Sequence, residues 1–433
     1  MNSKNKNLKN EANSILGSDH GRSKKKKIAI FHCGFIYSGG GERIVLEEAR
    51  GLKMRGYNVD VWAPTMDSKR CFPDFINEIG AKTFLPSFFD WLPFRTGLRM
   101  VVSSILAPLL AVNFRDVDIF VGANQPGAWM AFCMAKVLGK PYIVYLNQPN
   151  RVVFPRPVDV KYGWHSTERD YQILFKLFQF VKPLLAFLDK QSIVRADRVL
   201  ANGGYIGDVI ENIYSTRTID APAGSYHYPL AKLRLNSHTI YSGRIKIKGS
   251  YISKPYALIT NRHDPQKRFD FVIKAMKHIA ADYKKAKLII PGPFTKHTHF
   301  LIRKAKELGV EDSVLFLGKV SEEDLQKLYR HATVYCYPSP QEDFGLGPLE
   351  AGGWGVPTVA WNHGGPTVTV EDGVTGYLAK PYKTTDYADK MLKLFQDQEL
   401  RARMGRAAWE RTRTKFSWDK HSEVLEKTIT QFI

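Results

Sequence analysis

Residues 28–62 read IAIFHCGFIYSGGGERIVLEEARGLKMRGYNVDVW, and this stretch predicts the fold of the first half of the chain. Residues 28–33 are a nearly continuous apolar run, as in a strand that is buried on both faces of a parallel sheet. A glycine turn follows at 39–41, and apolar residues then recur at a helical period over 42–54. A second strand begins at 59–62. This order is a βαβ unit, so we expect a doubly wound parallel sheet.

The alternation of strands and helices continues along the rest of the chain. Further strands are predicted at 119–122, 142–146, 198–201, 257–260, 287–290, 314–317, 333–336 and 358–360. Residues 215–255 are rich in turn residues and separate the two halves. We therefore predict an α/β protein of two Rossmann-like domains, over residues 28–235 and 236–414, that face each other across a cleft. A ligand would lie between the C-terminal ends of their strands.

Length and composition fit this reading. A chain of 433 residues is too long for one ordinary domain, and its 44% hydrophobic content is typical of a globular protein. Residues 1–27 are polar and lack the apolar core of a signal peptide, so we expect a disordered basic tail. The longest apolar run, 100–114, is shorter than a membrane span. The four cysteines are far apart, which argues against zinc or a disulfide framework and makes the reducing cytosol the expected compartment.

The formal net charge of +21 leaves three classes of partner open. They are nucleic acid, an anionic membrane surface and phosphate-bearing small molecules. No recognised nucleic-acid module and no interleaving of aromatic and basic residues is present, so we expect no nucleic-acid partner. Charge alone does not choose between the other two.

The strongest candidate for a binding loop is PSPQEDFGLGPLE, residues 338–350, between a predicted strand and a helix. Pro348 suits the first position of a helix, because its φ is preset and it needs no N–H partner. The amides of Phe344, Gly345 and Leu346 would then precede a helix N-terminus, where phosphate or sugar oxygens bind.

Two carboxylates accompany these amides. Glu342 lies on the loop and can reach a sugar hydroxyl. Glu350, in the first helical turn, can accept hydrogen bonds from the two hydroxyls of a ribose. The alternative is that Glu350 only complements the helix dipole and that Glu342 is solvated.

Cations are concentrated in TNRHDPQKRF, residues 260–269, between the first strand of the second half and its helix. Arg262 and Lys267 can both face the cleft, where they would stabilise the negative charge of a departing diphosphate. A solvated basic turn is the alternative, and it fits Arg268 better than the other two.

Gly39, Gly40 and Gly41 form the third candidate element. Glycines let backbone amides approach a phosphate closely. Their spacing is not a dinucleotide fingerprint, and a tight turn without a ligand is the alternative.

Other polar residues carry weaker signals. Asp116 and Asp118 form a DxD pattern, but they precede a strand, at the end away from the cleft, and we expect no metal site. His32 ends the first strand near the glycine turn, and a packed or solvated role is favoured over a place in the cleft.

Two apolar segments with basic residues raise the question of a membrane. Residues 91–114 include Arg95 and Arg99, and residues 171–190 include Lys176 and Lys182. Both are helical and rich in Trp, Phe or Leu, as interfacial helices on anionic lipid are. Core helices that cover the first sheet are an equal alternative.

Taken together, five segments resemble the family 4 glycosyltransferases. The matching residues are 39–43, 261–268, 316–320, 342–350 and 364–376, and the resemblance spans roughly residues 28–420. It implies the GT-B fold, in which a last helix, here 415–433, crosses back to the first domain. It also implies that Glu342 contacts the donor sugar, Glu350 the ribose, and Arg262 and Lys267 the diphosphate.

The chain departs from the family pattern on the acceptor side. Residues 147–151 read NQPNR, where relatives have a histidine beside the donor sugar. Asn147 occupies that position and, with Arg151, is a candidate for the sugar or acceptor side. Asparagine can hydrogen-bond a hydroxyl but takes no proton at neutral pH. The motifs Gly-Gly-Pro and Gly-Pro-Leu-Glu most resemble the sequences of mannosyltransferases that extend lipid-linked or envelope glycans.

We therefore expect a retaining hexosyltransferase that moves a hexose, best identified as mannose from GDP-mannose, to a glycan or lipid-linked acceptor. We expect neither a metal nor another cofactor. The expected location is cytoplasmic, peripheral on a membrane face. The alternatives are a nucleotide-sugar-binding protein or epimerase without transfer, and a basic nucleic-acid-binding protein.

Overall fold

The computed structural model describes residues 25–91, 95–162, 169–233 and 243–433, without the side chains at 90, 95 and 169–180. The strands are β1 (Lys27–His32), β2 (Asn58–Ala63), β3 (Lys82–Thr83), β4 (Ile119–Ala123), β5 (Tyr142–Leu146), β6 (Arg198–Ala201), β7 (Ile219–Asp220), β8 (Gly243–Ile247), β9 (Ser250–Lys254), β10 (Tyr256–Leu258), β11 (Lys287–Pro291), β12 (Val314–Gly318), β13 (Val334–Tyr337), β14 (Thr358–Trp361) and β15 (Gly376–Ala379).

The α-helices alternate with these strands. They are α1 (Gly40–Met54), α2 (Pro73–Ile79), α3 (Arg95–Leu110), α4 (Gly127–Leu138), α5 (Pro157–Tyr162), α6 (Arg169–Val194), α7 (Gly204–Tyr214), α8 (Phe269–Asp282), α9 (Lys296–Glu307), α10 (Glu322–His331), α11 (Leu346–Gly353), α12 (Pro366–Thr369), α13 (Thr384–Gln396), α14 (Gln398–Lys415) and α15 (Trp418–Ile429).

Two parallel sheets organise the chain. The first has the order β3-β2-β1-β4-β5-β6-β7, and the second has the order β12-β11-β10-β13-β14-β15. The central strand β1 is buried on both faces, as its apolar sequence predicts. Gly127 allows α4 to pack on this strand, because a Cβ there would overlap the carbonyl oxygen of Phe31. The predicted fold class, two doubly wound α/β domains, is confirmed.

The strand orders determine where a ligand can bind. The direction in which successive strands are added to the sheet reverses between β1 and β4 in the first sheet and between β10 and β13 in the second. At such a switch point the loops diverge beyond the C-terminal strand ends and leave a crevice. The glycine turn follows β1, the cationic segment follows β10, and the Glu342 loop follows β13. The candidate segments therefore lie at the two crevices.

The last helix returns to the first domain. Helix α15 packs on α1, and Trp418, Leu425 and Ile429 join the core of the first sheet. Gly51 on α1 permits this approach, because a Cβ would overlap the Ser422 hydroxyl. At the centre, His421 Nε2 lies 3.3 Å from Glu48 Oε1, and both side chains are fully buried.

The sequence reading missed a β-hairpin in the turn-rich segment. Strands β8 and β9 pair antiparallel beside the second sheet, joined by Lys248 and Gly249, which both have positive φ. Such a pair of residues makes the tight turn typical of two-residue hairpins. The core side of the hairpin is provided by Ile245, Ile247 and Ile252.

Candidate functional site

A short ion pair lies where the two loops of the second sheet meet. Lys267 Nζ donates a hydrogen bond to Glu342 Oε2 at 2.6 Å, with both side chains more than four-fifths buried. Lys267 ends a 3-10 helix after β10, and Glu342 lies on the loop after β13. An ammonium has three N–H bonds, so after pairing with Glu342 it still has donors for an anion. The structure thus brings together two residues that the sequence named separately.

The charge state of Glu342 follows from its surroundings. Burial opposes ionisation, but the positive charges of Lys267 and Arg156 outweigh it and lower the pKa of Glu342. The carboxylate is therefore ionised at neutral pH, and both of its oxygens can act as hydrogen-bond acceptors.

A chain of hydrogen bonds holds Glu350 from both domains. Arg43 Nη1, on α1, donates to Glu350 Oε1 at 3.1 Å, and the Tyr329 hydroxyl donates to Oε2 at 2.8 Å. Tyr329 in turn shares a hydrogen bond of 2.8 Å with Thr260, two residues after β10. Glu350 is thus fixed in orientation, about a third of its side chain is exposed, and an interdomain ion pair occupies one oxygen.

The start of helix α11 differs from the prediction. The helix begins at Leu346 rather than Pro348, and Gly345 caps it with a φ of 96° that favours glycine. The amides of Leu346 and Gly347 therefore belong to the first turn and lack intrahelical acceptors, which still suits an anion. Glu350 consequently lies in the second turn.

Packing accounts for two residues of this loop, the predicted donor-binding residue Phe344 and its neighbour Gly347. The Phe344 side chain is 4% exposed and packs against Phe416, so only its backbone is available to a ligand. Gly347 is required by packing, because a Cβ would overlap the Tyr335 hydroxyl.

The glycine turn faces this helix across the cleft. Gly39 precedes α1 and the helix begins at Gly40. A Cβ at Gly40 would lie 2.9 Å from Leu346 Cδ1, so the two domains touch here. On the other side of the turn, a Cβ at Gly41 would lie 3.6 Å from Asn147 Nδ2.

Asn147 is oriented by its neighbours with one donor left over. Its backbone amide donates to Asn124 Oδ1 at 2.9 Å, and Asn202 Nδ2 donates to its Oδ1 at 3.3 Å. Within the part of the chain that the structure describes, the buried Nδ2 has no partner. An unpaired donor beside the glycine turn is a binding group for a ligand oxygen.

Arg262 lies at the mouth of the cleft. Its guanidinium is 5.2 Å from the ring centroid of Tyr37 on the first domain and 3.6 Å from Asp264. Its side chain is 45% exposed. Arg268, by contrast, pairs with Asp270 at 3.0 Å and lies over Trp361, so its role is structural rather than that of a solvated cation.

Arg151 is buried against the loop that follows β13. Its guanidinium is 5% exposed and pairs with Asp343, the residue after Glu342. The structure thus places this candidate for the acceptor side in contact with the donor loop, at the wall of a cavity that Arg156 also lines.

The residues with weaker signals have structural partners. Asp116 pairs with Lys27 at 2.7 Å, and Asp118 accepts the Lys27 amide at 2.7 Å, at the N-terminal ends of the strands. His32 is 1% exposed, and burial lowers its pKa to about 4. Among the described residues, no group of three or more His, Cys, Asp and Glu side chains could hold a metal.

Glu42, in the first turn of α1, is a titratable group that the sequence reading did not single out. It is 7% exposed, and burial raises its pKa to about 7, against the opposing effects of its own helix amide and Arg262. The protonated carboxyl is thus favoured by folding. Its stabilising contribution is complete below pH 4.5 and is lost as the pH rises through 7.

We expect Glu42→Gln to remove this pH dependence. Relative to the wild type, the variant should gain about 2.5 kcal/mol of stability between pH 5 and pH 8, since the folded protein no longer holds a buried charge. Urea unfolding at the two pH values measures the gain. Glu78→Gln, at an exposed position, is the control and should show no such change. The expectation would be contradicted if the free energy of unfolding of Glu42→Gln differed from that of the wild type by the same amount at both pH values.

Comparison with known proteins identifies the family. The family described as Glycosyltransferase Family 4 matches residues 38–219, and the family described as Glycosyl transferases group 1 matches residues 244–411. One match covers each sheet domain.

The chain belongs to the family 4 glycosyltransferases.

The predicted family, enzyme class and retaining stereochemistry are thereby confirmed. Full-length relatives of this glycosyltransferase include the alpha-1,3/1,6-mannosyltransferase ALG2 of Dictyostelium discoideum, 26% identical over 94% of this chain and 98% of the relative. The human protein of the same name is 24% identical over 91% and 94%. A D-inositol 3-phosphate glycosyltransferase of Corynebacterium jeikeium is 40% identical, but over only 28% of this chain and 29% of its own.

Solved structures confirm that this glycosyltransferase has the GT-B fold. HepE of Anabaena, in complex with UDP and glucose, superposes with a TM-score of 0.68 at 16% identity, covering 94% of this chain and 100% of its own. Sucrose-phosphate synthase of Thermosynechococcus elongatus gives a TM-score of 0.68 at 18% identity, covering 94% and 99%.

Proposed function

We propose that this glycosyltransferase transfers mannose from GDP-mannose, with retention at the anomeric carbon, to a glycan or a lipid-linked acceptor. Support for mannose comes from the full-length relatives, which are named as mannosyltransferases at 23–26% identity over 91–94% of the chain. Support for a nucleotide sugar comes from the named ligands of HepE, which are UDP, glucose and UDP-glucose.

The observation that carries the proposal is the ion pair between Lys267 and Glu342, 2.6 Å long, beside the N-terminus of α11. A diphosphate needs fixed positive charge, and a hexose needs a fixed acceptor for its hydroxyls. Lys267 and the first-turn amides of α11 provide the first, and Glu342 provides the second. Glu350, on the same helix, can receive the ribose hydroxyls on the lone pairs that Arg43 and Tyr329 leave unoccupied.

In the proposed mechanism an acceptor hydroxyl attacks the anomeric carbon from the face that the diphosphate leaves. The bond from that carbon to the phosphate oxygen breaks as the new glycosidic bond forms. The departing phosphate oxygen takes the hydroxyl proton. Lys267 and Arg262 stabilise the charge that grows on the leaving group, and this stabilisation is larger in the transition state than in the ground state.

Asn147 replaces a proton acceptor with a hydrogen-bond donor. Its buried Nδ2, which has no partner among the residues that the structure describes, can donate to a sugar or phosphate oxygen but cannot remove a proton. This agrees with a reaction in which the leaving phosphate accepts the proton.

Titration calorimetry with GDP-mannose, UDP-glucose and ADP-glucose tests the donor. We expect GDP-mannose to bind about tenfold or more tightly than the other two. Release of GDP together with mannosylation of mixed lipid acceptors then tests the transfer. Tighter binding of UDP-glucose would contradict the choice of donor. Conversion of the sugar without release of GDP would show an epimerase instead.

We further propose that the first domain docks on an anionic membrane at its cytoplasmic face. Helices α3 and α6 each pack against α4, which covers the first sheet. Val101, Ile105 and Leu109 are spaced by one helical turn along α3 and are 57–72% exposed. Leu184 and Phe187 on α6 are each 58% exposed. These five residues are the apolar face of the first domain.

Charges around the apolar face suit anionic lipid. Lys136 on α4 and Lys190 on α6 are exposed, and among the described side chains of the three helices the one carboxylate, Asp189, is buried. Arg99, expected to be a lipid-facing cation, is instead 2% exposed and donates to the carbonyls of Pro64 and Leu85. Arg95 and Lys176 lie outside the described side chains.

Helix α3 extends through a 3-10 turn to Phe114. Within the described residues, 96–114 is the one helical stretch long and apolar enough to cross a membrane, with a mean hydropathy of 1.6 and 28% of it buried. Its inner residues Ala107 and Ala111 belong to the core of the first domain. A helix with one face in the core and an apolar outer face fits interfacial docking better than a span.

We expect the double variant Ile105→Asp, Leu109→Asp to lower binding to vesicles of phosphatidylcholine and phosphatidylserine by about tenfold or more, because two apolar contacts are replaced by charges that the lipid repels. Liposome flotation measures the bound fraction. Leu315→Asp, at an exposed position of the second domain, is the control. Equal recovery with neutral and anionic vesicles would contradict the anionic preference.

A further inference from the structure

The loop that carries Glu342 is held from the other domain. Arg156, between β5 and α5 of the first domain, donates from Nη1 to the Gln341 carbonyl at 2.8 Å and to Asp343 Oδ2 at 3.3 Å. The Val158 amide donates to Gln341 Oε1 at 3.0 Å. The residues on both sides of Glu342 are therefore bound by the first domain.

Arg156 is itself fixed before it reaches this loop. Asp159 accepts from its Nε at 3.0 Å and from its Nη2 at 2.9 Å, in a two-pronged pair at the start of α5. Only Nη1 is left to reach the loop. The Arg156 side chain is 14% exposed and that of Asp159 is 3% exposed, so solvent screens this pair little.

The second domain holds the same loop from behind. The Gly365 amide donates to the Glu342 carbonyl at 2.7 Å, and the Gln341 amide donates to His363 Nδ1 at 3.1 Å. These contacts fix the backbone but leave the direction of the loop side chains to other groups. Gln341 has a φ of 52°, a left-handed conformation that non-glycine residues adopt only when neighbours stabilise it.

The segment around Arg156 reaches both partners of the ion pair. Helix α5 packs against the 3-10 helix that ends in Lys267. The Arg156 charge also lowers the pKa of Glu342. One short stretch of the first domain thus touches the loop of Glu342 and the turn of Lys267, although both belong to the second domain.

We propose that Arg156, oriented by Asp159, is a positioning residue for transfer: by binding Gln341 and Asp343 across the domain interface, it aligns Glu342 with the donor sugar when the domains are closed. The nucleotide is left to groups of the second domain, so the arginine acts on turnover rather than on nucleotide binding. This inference rests on the proposed role of Glu342.

A double-mutant cycle tests the inference. The variants are Arg156→Gln, Glu342→Gln and the pair, with GDP release from GDP-mannose and mixed lipid acceptors as the rate and GDP calorimetry as the binding readout. If calorimetry shows that UDP-glucose is the preferred donor, UDP-glucose replaces GDP-mannose and UDP replaces GDP in both measurements. We expect Arg156→Gln to lower kcat by about 10- to 100-fold, with the Kd for the nucleotide changed by less than about threefold. The double variant should be no slower than Glu342→Gln, because Arg156 acts through that residue.

A conservative replacement of Arg156 distinguishes a positioning role from an effect on the overall stability of the fold. Arg156→Lys keeps the charge but cannot pair with Asp159 and reach the loop together, so we expect it to recover only part of the rate. Arg413→Gln, which breaks an exposed ion pair with Glu410, is the matched control and should leave kcat unchanged. If Arg156→Gln does not fold, the variant Asp159→Asn replaces it in the cycle. Asp159→Asn retains the arginine but weakens the ion pair that orients it.

The outcomes distinguish the role of Arg156 from the proposed role of Glu342. Two results would overturn the positioning role. One is a double variant whose loss of kcat is the product of the two single losses. The other is a kcat of Arg156→Gln within twofold of wild type. If Glu342→Gln itself is fully active, the proposed site fails whatever Arg156 does. An inactive Glu342→Gln beside a normal Arg156→Gln removes only the present inference.

Discussion

Lys267→Ala is expected to lower turnover of the nucleotide sugar by about 100-fold or more, the size of effect seen when one fixed charge at a developing anion is removed. Lys267 is more than four-fifths buried beside Glu342, so water does not readily replace its ammonium. The loss also leaves the Glu342 carboxylate without its nearest positive charge. Steady-state GDP release with saturating GDP-mannose measures the change.

The matched control for Lys267 is Lys274→Ala. Lys274 forms a longer pair of 3.7 Å with Asp270 on the outer part of α8, with 42% of its side chain exposed. We expect its rate to stay within twofold of wild type. Near-native turnover of Lys267→Ala would remove Lys267 from the diphosphate site.

Glu342→Ala is expected to lower turnover by a similar factor, about 100-fold or more, because a different contact with the donor is lost. The ionised carboxylate accepts hydrogen bonds from Lys267 and Tyr337, and its remaining lone pairs are available to a sugar hydroxyl. Because the pKa of Glu342 lies below its ordinary value of 4.5, the ionised form should persist as the pH falls to that value. The contribution of Glu342 to activity should therefore be lost only at more acidic pH.

Substitution at an exposed acid controls for general charge effects. Glu371→Gln removes a carboxylate that pairs with Arg411 and is 51% exposed. We expect it to be fully active. A Glu342→Ala enzyme with native kcat and KM would exclude the carboxylate from the sugar site.

The fold follows from sequence patterns that are local. Residues 28–62 contain one complete βαβ unit, and its period and glycines reflect backbone geometry that neighbouring residues enforce. The placement of the Glu342, Lys267 and Gly39 segments at strand ends follows from the same geometry. For that reason the strand–loop–helix context predicted which loops would meet.

The start of α11 was predicted incorrectly for a physical reason. Proline is tolerated throughout the first helical turn, since none of those amides has an intrahelical partner. Pro348 therefore does not mark the first residue. The positive φ of Gly345 fixes the boundary, and glycine alone in a sequence does not reveal its φ.

The partners across the cleft could not be predicted from sequence. Arg43 and Glu350 are 307 positions apart, and Arg151 and Asp343 are 192 apart. Their contacts depend on how two separately folded domains meet, which leaves no periodic signal. The hairpin of β8 and β9 was different: isoleucines at 245, 247 and 252 and the Lys248-Gly249 turn were a readable signal that basic neighbours obscured.

The return of α15 to the first domain has a consequence for protein engineering. Donor specificity in a chimeric enzyme cannot be exchanged by joining two parents at one point between the sheets, because the last helix would then come from the wrong parent. The foreign helix would face Glu48 and Gly51 of α1 without a matched His421 and Ser422. A working chimera needs a second junction after Lys415, so that the chain's end is inherited with its beginning.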